Sequence, residues 1–392
     1  MQPQTVSLRL ASMLVALGWL AAGPLTAGTT ETGYGLGLDS GFDSNPLLVR
    51  GDGPSGTFVN LRLDGGVTQY LGSGSTAALF IDGRVALRED ESRTADAGHD
   101  SGDARAGVVL APSGRRLLVS LGGRASMYRG TFTDRETGAV YTTAVVPATD
   151  PPSTLPIPER LDFDGAGAFL NLRLKASRRS SVSLEAALDR ADYVEDYGAL
   201  TGLDSLDYRS LTLRPGARLQ LGDAATLGLG IALTDLEYDD RLALDRNGAE
   251  VQGTRRTYHY SQYELALRVK PSAPWNLDLG LTAGERQDTH AGYYDSASAT
   301  GYVGVDRSLG ASSKIRAVAS VRTLEYDHAT VTGDPLDDLQ ASDEQRYLAR
   351  FSREFGQRWS WHVEGGTVRA DSRDPAFAYD RDWMLTGFRF GR

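Results

Sequence analysis

The sequence predicts an all-β fold, an antiparallel transmembrane β-barrel of about 16 strands with short periplasmic turns and longer extracellular loops. Three observations predict it. Apolar residues recur at every second position in tract after tract, and the connections between tracts alternate between short and long. Beyond a leader-like N-terminus, the cysteine-free chain holds no apolar run long enough for a membrane helix.

The N-terminus comes first. Arg9 precedes an apolar run from Leu10 to Ala22, small residues follow, and Leu25-Thr26-Ala27 is a suitable cleavage site. Residues 1–28 therefore read as a secretory signal peptide, with an uncleaved anchor as the alternative, and 29–392 as a single barrel domain. Cys 0 in an exported chain means that no disulfide holds it. Gly 45 against Met 4, with Tyr 17 and Phe 11, is a usage rich in turns and strands. A formal charge of -10 argues against nucleic acid as a partner.

Alternation is decisive because strand side chains point to opposite faces, and a barrel in lipid turns apolar residues outward at every second position. From Ala77 the outward set is Ala77, Leu79, Ile81, Val85 and Leu87, while Phe80, Asp82, Arg84 and Arg88 point the other way. Leu211, Leu213, Ala217, Leu219 and Leu221 alternate with Ser210, Thr212, Arg214, Arg218 and Gln220. The pattern recurs from Leu227 to Leu233, from Leu277 to Leu281 and from Ile315 to Val321.

Short connections are expected near 72–75, 112–115, 177–180, 222–224, 271–274, 310–313 and 356–358. These seven turns imply sixteen strands when both termini share a side. Longer connections fall near 43–56, 91–101, 131–161, 195–206, 241–255, 291–296, 329–343 and 372–380. The asymmetry supplies the orientation and an outer-membrane location. Tyr128, Tyr193, Tyr208, Tyr238, Tyr258, Tyr260, Tyr326, Tyr347 and Trp383 fall at expected outer strand ends, and Trp275, Trp359 and Trp361 beside periplasmic turns. Such residues favour lipid–water boundaries, so two aromatic girdles are expected.

The run Gly33-Tyr34-Gly35-Leu36-Gly37-Leu38-Asp39-Ser40-Gly41-Phe42-Asp43-Ser44-Asn45-Pro46 resembles the opening strand of the β-barrel porin 2 group. A similar Asp-Ser-Asn element opens barrels of polysaccharide-export and surface-lipoprotein-assembly proteins. The resemblance implies an outer-membrane barrel of the kind associated with exopolysaccharide systems, and it carries over no catalytic residue. Barrels of this kind usually end on an aromatic residue read by the barrel-assembly machinery. Here Gly391 and Arg392 follow Phe390, a departure from that pattern. Strand-like sequence begins close to the cleavage site, so any periplasmic scaffold is expected to be a separate protein.

Read strand by strand, the inward face carries Arg62, Arg84, Arg88, Arg124, Arg173, Lys175, Arg214, Arg218, Arg268, Lys270, Lys314, Arg316 and Arg322. Its carboxylates are fewer: Asp64, Asp82, Glu185, Asp189, Glu264, Asp278 and Glu364. A basic lumen is expected in an acidic chain. Arg173, Lys175, Arg214, Arg218, Arg268, Lys270, Lys314 and Arg316 fall toward the periplasmic mouth, where a ring of cations would attract an anionic solute or polysaccharide. The same residues also fit a wall braced by Arg–carboxylate ladders.

Acidic residues gather outside, at Glu89, Asp90, Glu91, Asp96, Asp100 and Asp103 and again at Asp334, Asp337, Asp338, Asp343 and Glu344. They suit solvated loops or Ca²⁺ and Mg²⁺ bridges to lipopolysaccharide phosphates. The proline-rich 131–161 segment suits either an inward constriction or an external loop. His259 and Ser261, two apart on one face, are similar to the His and Ser of outer-membrane phospholipase A. No Asn follows at the right place to orient the imidazole, so an interfacial histidine is expected. No catalytic residue, metal site or cofactor is expected. Three functions fit these residues: a channel or export conduit, a non-conducting surface or assembly barrel acting through its loops, and an outer-leaflet lipid hydrolase. Lipid, lipopolysaccharide and the assembly machinery are the expected partners.

Overall fold

The computed structural model describes residues 29–46, 55–71, 76–90, 99–112, 116–130, 132–133, 140–141, 143–146, 153–156, 163–193, 207–331, 338–374 and 378–391. The first five strands are β1 (Thr30–Asp43), β2 (Gly56–Tyr70), β3 (Ala77–Asp90), β4 (His99–Leu110) and β5 (Leu117–Gly130). Two small hairpins follow, β6 (Phe132–Thr133) with β7 (Val140–Tyr141) and β8 (Thr143–Val146) with β9 (Ser153–Pro156). Then come β10 (Phe163–Lys175), β11 (Ser180–Tyr193), β12 (Tyr208–Leu221), β13 (Ala225–Tyr238), β14 (Thr257–Ser272) and β15 (Trp275–Asp288). The last are β16 (Ser296–Leu309), β17 (Ser313–Thr330), β18 (Leu339–Phe355), β19 (Trp359–Ser372) and β20 (Tyr379–Gly391).

β1 to β5 and β10 to β20 close a sixteen-stranded antiparallel barrel, each strand beside its predecessor, and β1 pairs with β20 to shut it. The turns at 222–224, 310–312 and 356–358 lie where the alternation places them, whereas the connection expected at 329–343 is shorter, because β18 already begins at Leu339. One turn differs. β14 runs through Pro271 to Ser272, with a register shift after Val269, so the turn tightens to Ala273 and Pro274. Proline has no N–H for a ladder, and a bulge is where a strand tolerates it. Gly222, Gly310 and Gly356 take φ of 69°, 77° and 67° in three of the turns, which a residue without Cβ adopts at no steric cost.

Directly paired residues share a face, so the register carries one assignment around the barrel. Asp39 lies opposite Asn60, Asn60 opposite Arg88, Arg84 opposite Asp103, and Arg105 opposite Arg124. This is the inner face: Asp39, Asn60 and His362 on it are buried, whereas the opposite face exposes Leu229, Leu281 and Phe388. The outer face is apolar from Leu211 to Leu221 on β12 and from Ala225 to Leu233 on β13. Runs of about 9 to 11 residues on tilted strands span a bilayer's hydrocarbon.

Trp275, Trp359 and Trp361 border that band on the periplasmic side, pointing outward. Arg190, Asp192, Arg209, Asp235, Glu237, Arg369 and Asp382 border it on the other, also outward, at the level where headgroups begin. Among the described residues no helix is long and apolar enough to cross a membrane; the strands cross it. The chain is an outer-membrane barrel.

Inside, one corner of the wall is shaped by glycine. Gly107 of β4 and Gly122 of β5 face each other, and a side chain on either would collide with the other strand. Phe80 of β3 and Phe169 of β10 reach over the bare pair, their ring centroids 6.3 Å apart.

Candidate functional site

An outer-membrane barrel offers three surfaces for function, namely its lumen, its outer mouth and its lipid face, and strand parity decides which one a side chain serves. The lumen is braced first at its seam. Asp39 of β1 reaches over Gly387 of β20 to His362 of β19, whose Nε2 lies 3.2 Å from Asp39 Oδ1; both side chains are at most 3% exposed. Arg62 approaches the other oxygen at 3.5 Å.

Toward the outer end, Asp43 takes Arg88 of β3 at 3.1 Å and Arg381 of β20 at 2.6 Å. Asn45 N donates to Asp43 Oδ1, and Asn45 Nδ2 donates to Asp380 O. Ser44 Oγ accepts from Asp382 N, and Ser44 N donates to Asp382 O. The polar residues from Asp39 to Asn45 are thus a clasp between the first strand and the last, which gives that run a structural role.

The register puts Arg84, Arg88, Arg173, Lys175, Arg214, Arg218, Arg268, Lys314, Arg316 and Arg322 on the inner face. Lys270 follows them, its N–H donating to Ala224 O in the same register. They divide into two sets. Arg84 pairs with Asp103, and Arg88 with Asp43 and Asp90. Arg268 meets Asp278 at 2.6 Å, Lys314 meets Asp306 at 3.1 Å, and Arg316 approaches Asp306 at 4.0 Å. Arg105 with Asp82 and Arg124 with Asp189 extend the paired set.

Arg173, Lys175, Arg214, Arg218 and Lys270 have no ion-pair partner among the described residues, and neither does Arg322 in the outer half of β17. Apart from Arg322 they form a strip over β10, β12 and β14 in the periplasmic half of the lumen. The expected ring of cations is therefore interrupted. Asp39, Asp43 and Asp306 join the inward carboxylates, and Asp90, Asp103 and Glu344 belong to β3, β4 and β18, facing inward, instead of to outer loops.

The outer aromatic girdle needs a larger correction. Tyr128, Tyr193, Tyr208, Tyr238, Tyr258, Tyr260 and Tyr326 do sit at outer strand ends, but the register turns them into the lumen. Trp383 also faces inward, opposite Asp43, and Tyr347 faces lipid in mid-strand. His99, Tyr128, Phe163 and Tyr193 follow one another with centroids 5.6 to 5.8 Å apart. Tyr208, Tyr238 and Tyr258 continue the arc at 6.0 and 6.3 Å.

Loops 239–256 and 289–295 settle on the far end of this arc. Arg286 Nε donates to Tyr294 O at 2.8 Å, and the guanidinium lies over Tyr258, Tyr294 and Tyr326 at 5.1 to 5.4 Å. Ala243 and Leu244 of the first loop are buried. These loops fold over the inner wall at the mouth. The role expected of 131–161 lies largely outside the described residues, as do Glu91, Asp96, Asp334 and Asp337. Among the described residues no group of His, Asp and Glu is placed to hold a metal ion. Just before β12, Asp207 accepts a hydrogen bond from Tyr193 N at 2.7 Å; burial, with Asp192 and Asp239 nearby, pushes its carboxyl above the usual range.

On the lipid face, His259 lies directly opposite Asp235 of β13, and its Nδ1 is hydrogen-bonded to that carboxylate. The orienting group is thus an acid on the preceding strand. Ser261 shares the face, opposite Leu233 and Glu285, and makes no hydrogen bond to the imidazole among the described residues.

No family model and no curated protein matches the chain. Among solved structures it is similar to a loop L8 deletion mutant of OmpT, an outer membrane protein of Vibrio cholerae, at 12% identity and TM-score 0.49 over 93% of this chain and 100% of that one. It is similar to the anion-selective porin from Comamonas acidovorans at 12% identity and TM-score 0.49, again over 93% and 100%. A bacterial polysaccharide outer membrane secretin matches at 12% identity and TM-score 0.47, over 92% of this chain and 97% of that one.

Proposed function

We propose that the protein is an outer-membrane channel that passes anionic solutes along one wall of its lumen, with an exported acidic polysaccharide as the polymeric case. The division of the inner wall carries this reading. Around the seam and β3 to β5, Arg62, Arg84, Arg88, Arg105, Arg124 and Arg381 each pair with a carboxylate of the same wall, Arg389 of β20 being the exception among the described residues. Such pairs brace the barrel and project little field, because the two charges cancel at a distance. Arg173, Lys175, Arg214, Arg218 and Lys270 have no such partner among the described residues. Their hydrated charges are free to raise the local concentration of anions in the lumen.

The test is current through refolded barrels in planar bilayers, with a KCl gradient across the membrane and an anionic oligosaccharide added as blocker. Anion-selective current with reversible block is expected. Persistent silence from correctly folded barrels would overturn the channel and favour a non-conducting surface or assembly barrel acting through its loops.

A further inference from the structure

The cationic strip does not stop at the strand ends. At the β10–β11 turn it opens into a cavity of about 650 Å³ lined by Arg116, Arg173, Lys175, Arg178, Arg179 and Arg218, with no carboxylate among its described lining residues. None of the six has an ion-pair partner among the described residues.

The turn is held in place by its own hydrogen bonds. Ser177 Oγ accepts from Arg179 N at 3.0 Å and is hydrogen-bonded to Ser180 Oγ at 2.8 Å. Lys175 N donates to Arg116 O at 2.8 Å, and Gln220 N donates to Arg179 O at 2.7 Å. The turn is therefore tied to the start of β5 on one side and to β12 on the other, so the backbone that carries these cations is fixed around one space before any ligand arrives.

Like charges held in this way repel one another, and the backbone ladder prevents them from separating. Chloride relieves the repulsion one charge at a time; an ion carrying several oxyanion groups relieves many at once and matches the forked donors of arginine. The other mouth differs, with an aromatic arc and with Asp192, Asp207 and Asp239 at its rim. An anion is thus favoured at the periplasmic end.

We propose that this basin is a capture site for a multivalent oxyanion, bearing phosphate or sulfate groups, presented from the periplasm. The proposal rests on the channel reading and narrows it, naming the charge class of the solute and the end at which it is loaded.

The test is isothermal titration of the full barrel in zwitterionic nanodiscs with inorganic tripolyphosphate, orthophosphate and chloride. One tripolyphosphate site is expected, about tenfold or more tighter than orthophosphate, since each added charge-assisted contact strengthens binding by roughly that factor. The double variant Arg178→Gln with Arg179→Gln is expected to weaken it about tenfold or more on the same ground. Arg246→Gln in an outer loop is a charge control that should leave it unchanged. Heat-modifiable gel mobility confirms folding of each variant.

Equal binding by the parent and the double variant, or no preference for tripolyphosphate over orthophosphate, overturns the capture site. Loss of the site in nanodiscs containing phosphatidylglycerol assigns the basin to lipid headgroups and overturns a periplasmic ligand. Anion-selective current without tripolyphosphate binding removes the capture site and leaves the channel. Binding without current does the reverse.

Discussion

The Asp39 carboxylate and the His362 imidazole lie 3.2 Å apart across Gly387, joining β1 to β19 over the last strand. A barrel exists only once its two terminal strands have met, and a buried polar contact over the seam makes that meeting specific. His362→Ala leaves a buried carboxylate without its imidazole partner, so a loss of roughly 2 to 3 kcal/mol is expected. The readout is the temperature at which the folded band disappears in heat-modifiable electrophoresis. Gly387→Ala should lower it too, because a methyl group there overlaps Asp39. A His362→Ala barrel as heat-resistant as the parent would remove the seam contact from the account.

The outer clasp should rank its members by charge. Asp43→Ala leaves Arg381 without its carboxylate while Arg88 keeps Asp90, a change expected to cost about 2 to 3 kcal/mol. Asn45→Ala removes one neutral hydrogen bond to Asp380 O, worth about 1 kcal/mol. Urea unfolding followed by tryptophan fluorescence measures both, and a reversed order would contradict the clasp.

Arg286→Ala should loosen the mouth without loosening the barrel. It removes the bond to Tyr294 O and the cation held over Tyr258 and Tyr326. Faster hydrogen exchange is expected in 289–295, with protection of β14 and β15 unchanged; uniform loosening of those strands would show that Arg286 braces the barrel itself.

Asp207 has a pH signature. Its folded pKa is raised, so the protonated form favours the native outer end; that contribution is complete below the unfolded pKa and is lost as pH rises through the folded one. Asp207→Asn keeps an acceptor for Tyr193 N without the charge. Relative to the parent, it should slow exchange of the Tyr193 amide at neutral pH, with the difference vanishing in acid. Faster exchange in the variant at neutral pH would contradict the sign.

Parity was the legible quantity. The outward leucines of β12 and β13, and the turns at Gly222, Gly310 and Gly356, follow from period and glycine alone. The same parity places Tyr208 with Ser210 and Thr212, inside the barrel, but the tyrosines' preference for membrane boundaries points the other way. In this chain the lumen rim claims them. The bracing of the wall was less legible, because Asp39 with His362 and Asp306 with Lys314 depend on which strands become neighbours and on a small residue such as Gly387 lying between two of them. The free strip was legible as cations and illegible as free, since a charge is unpartnered only once every neighbouring strand is in register. The orienting role of Asp235 depended likewise on register with the preceding strand, and the turn arginines Arg178 and Arg179 lay outside the strand pattern altogether.

The most direct measurement is the reversal potential in a KCl gradient for two variants of equal fold. One replaces Arg173, Arg214 and Arg218 together with Gln; the other removes a whole pair, Arg268→Gln with Asp278→Asn. The first is expected to shift the potential toward cations and the second to leave it at the parent value. A triple variant as anion-selective as the parent, or a pair variant that shifts as far as the triple, would contradict the claim that the unpaired strip sets what this barrel passes.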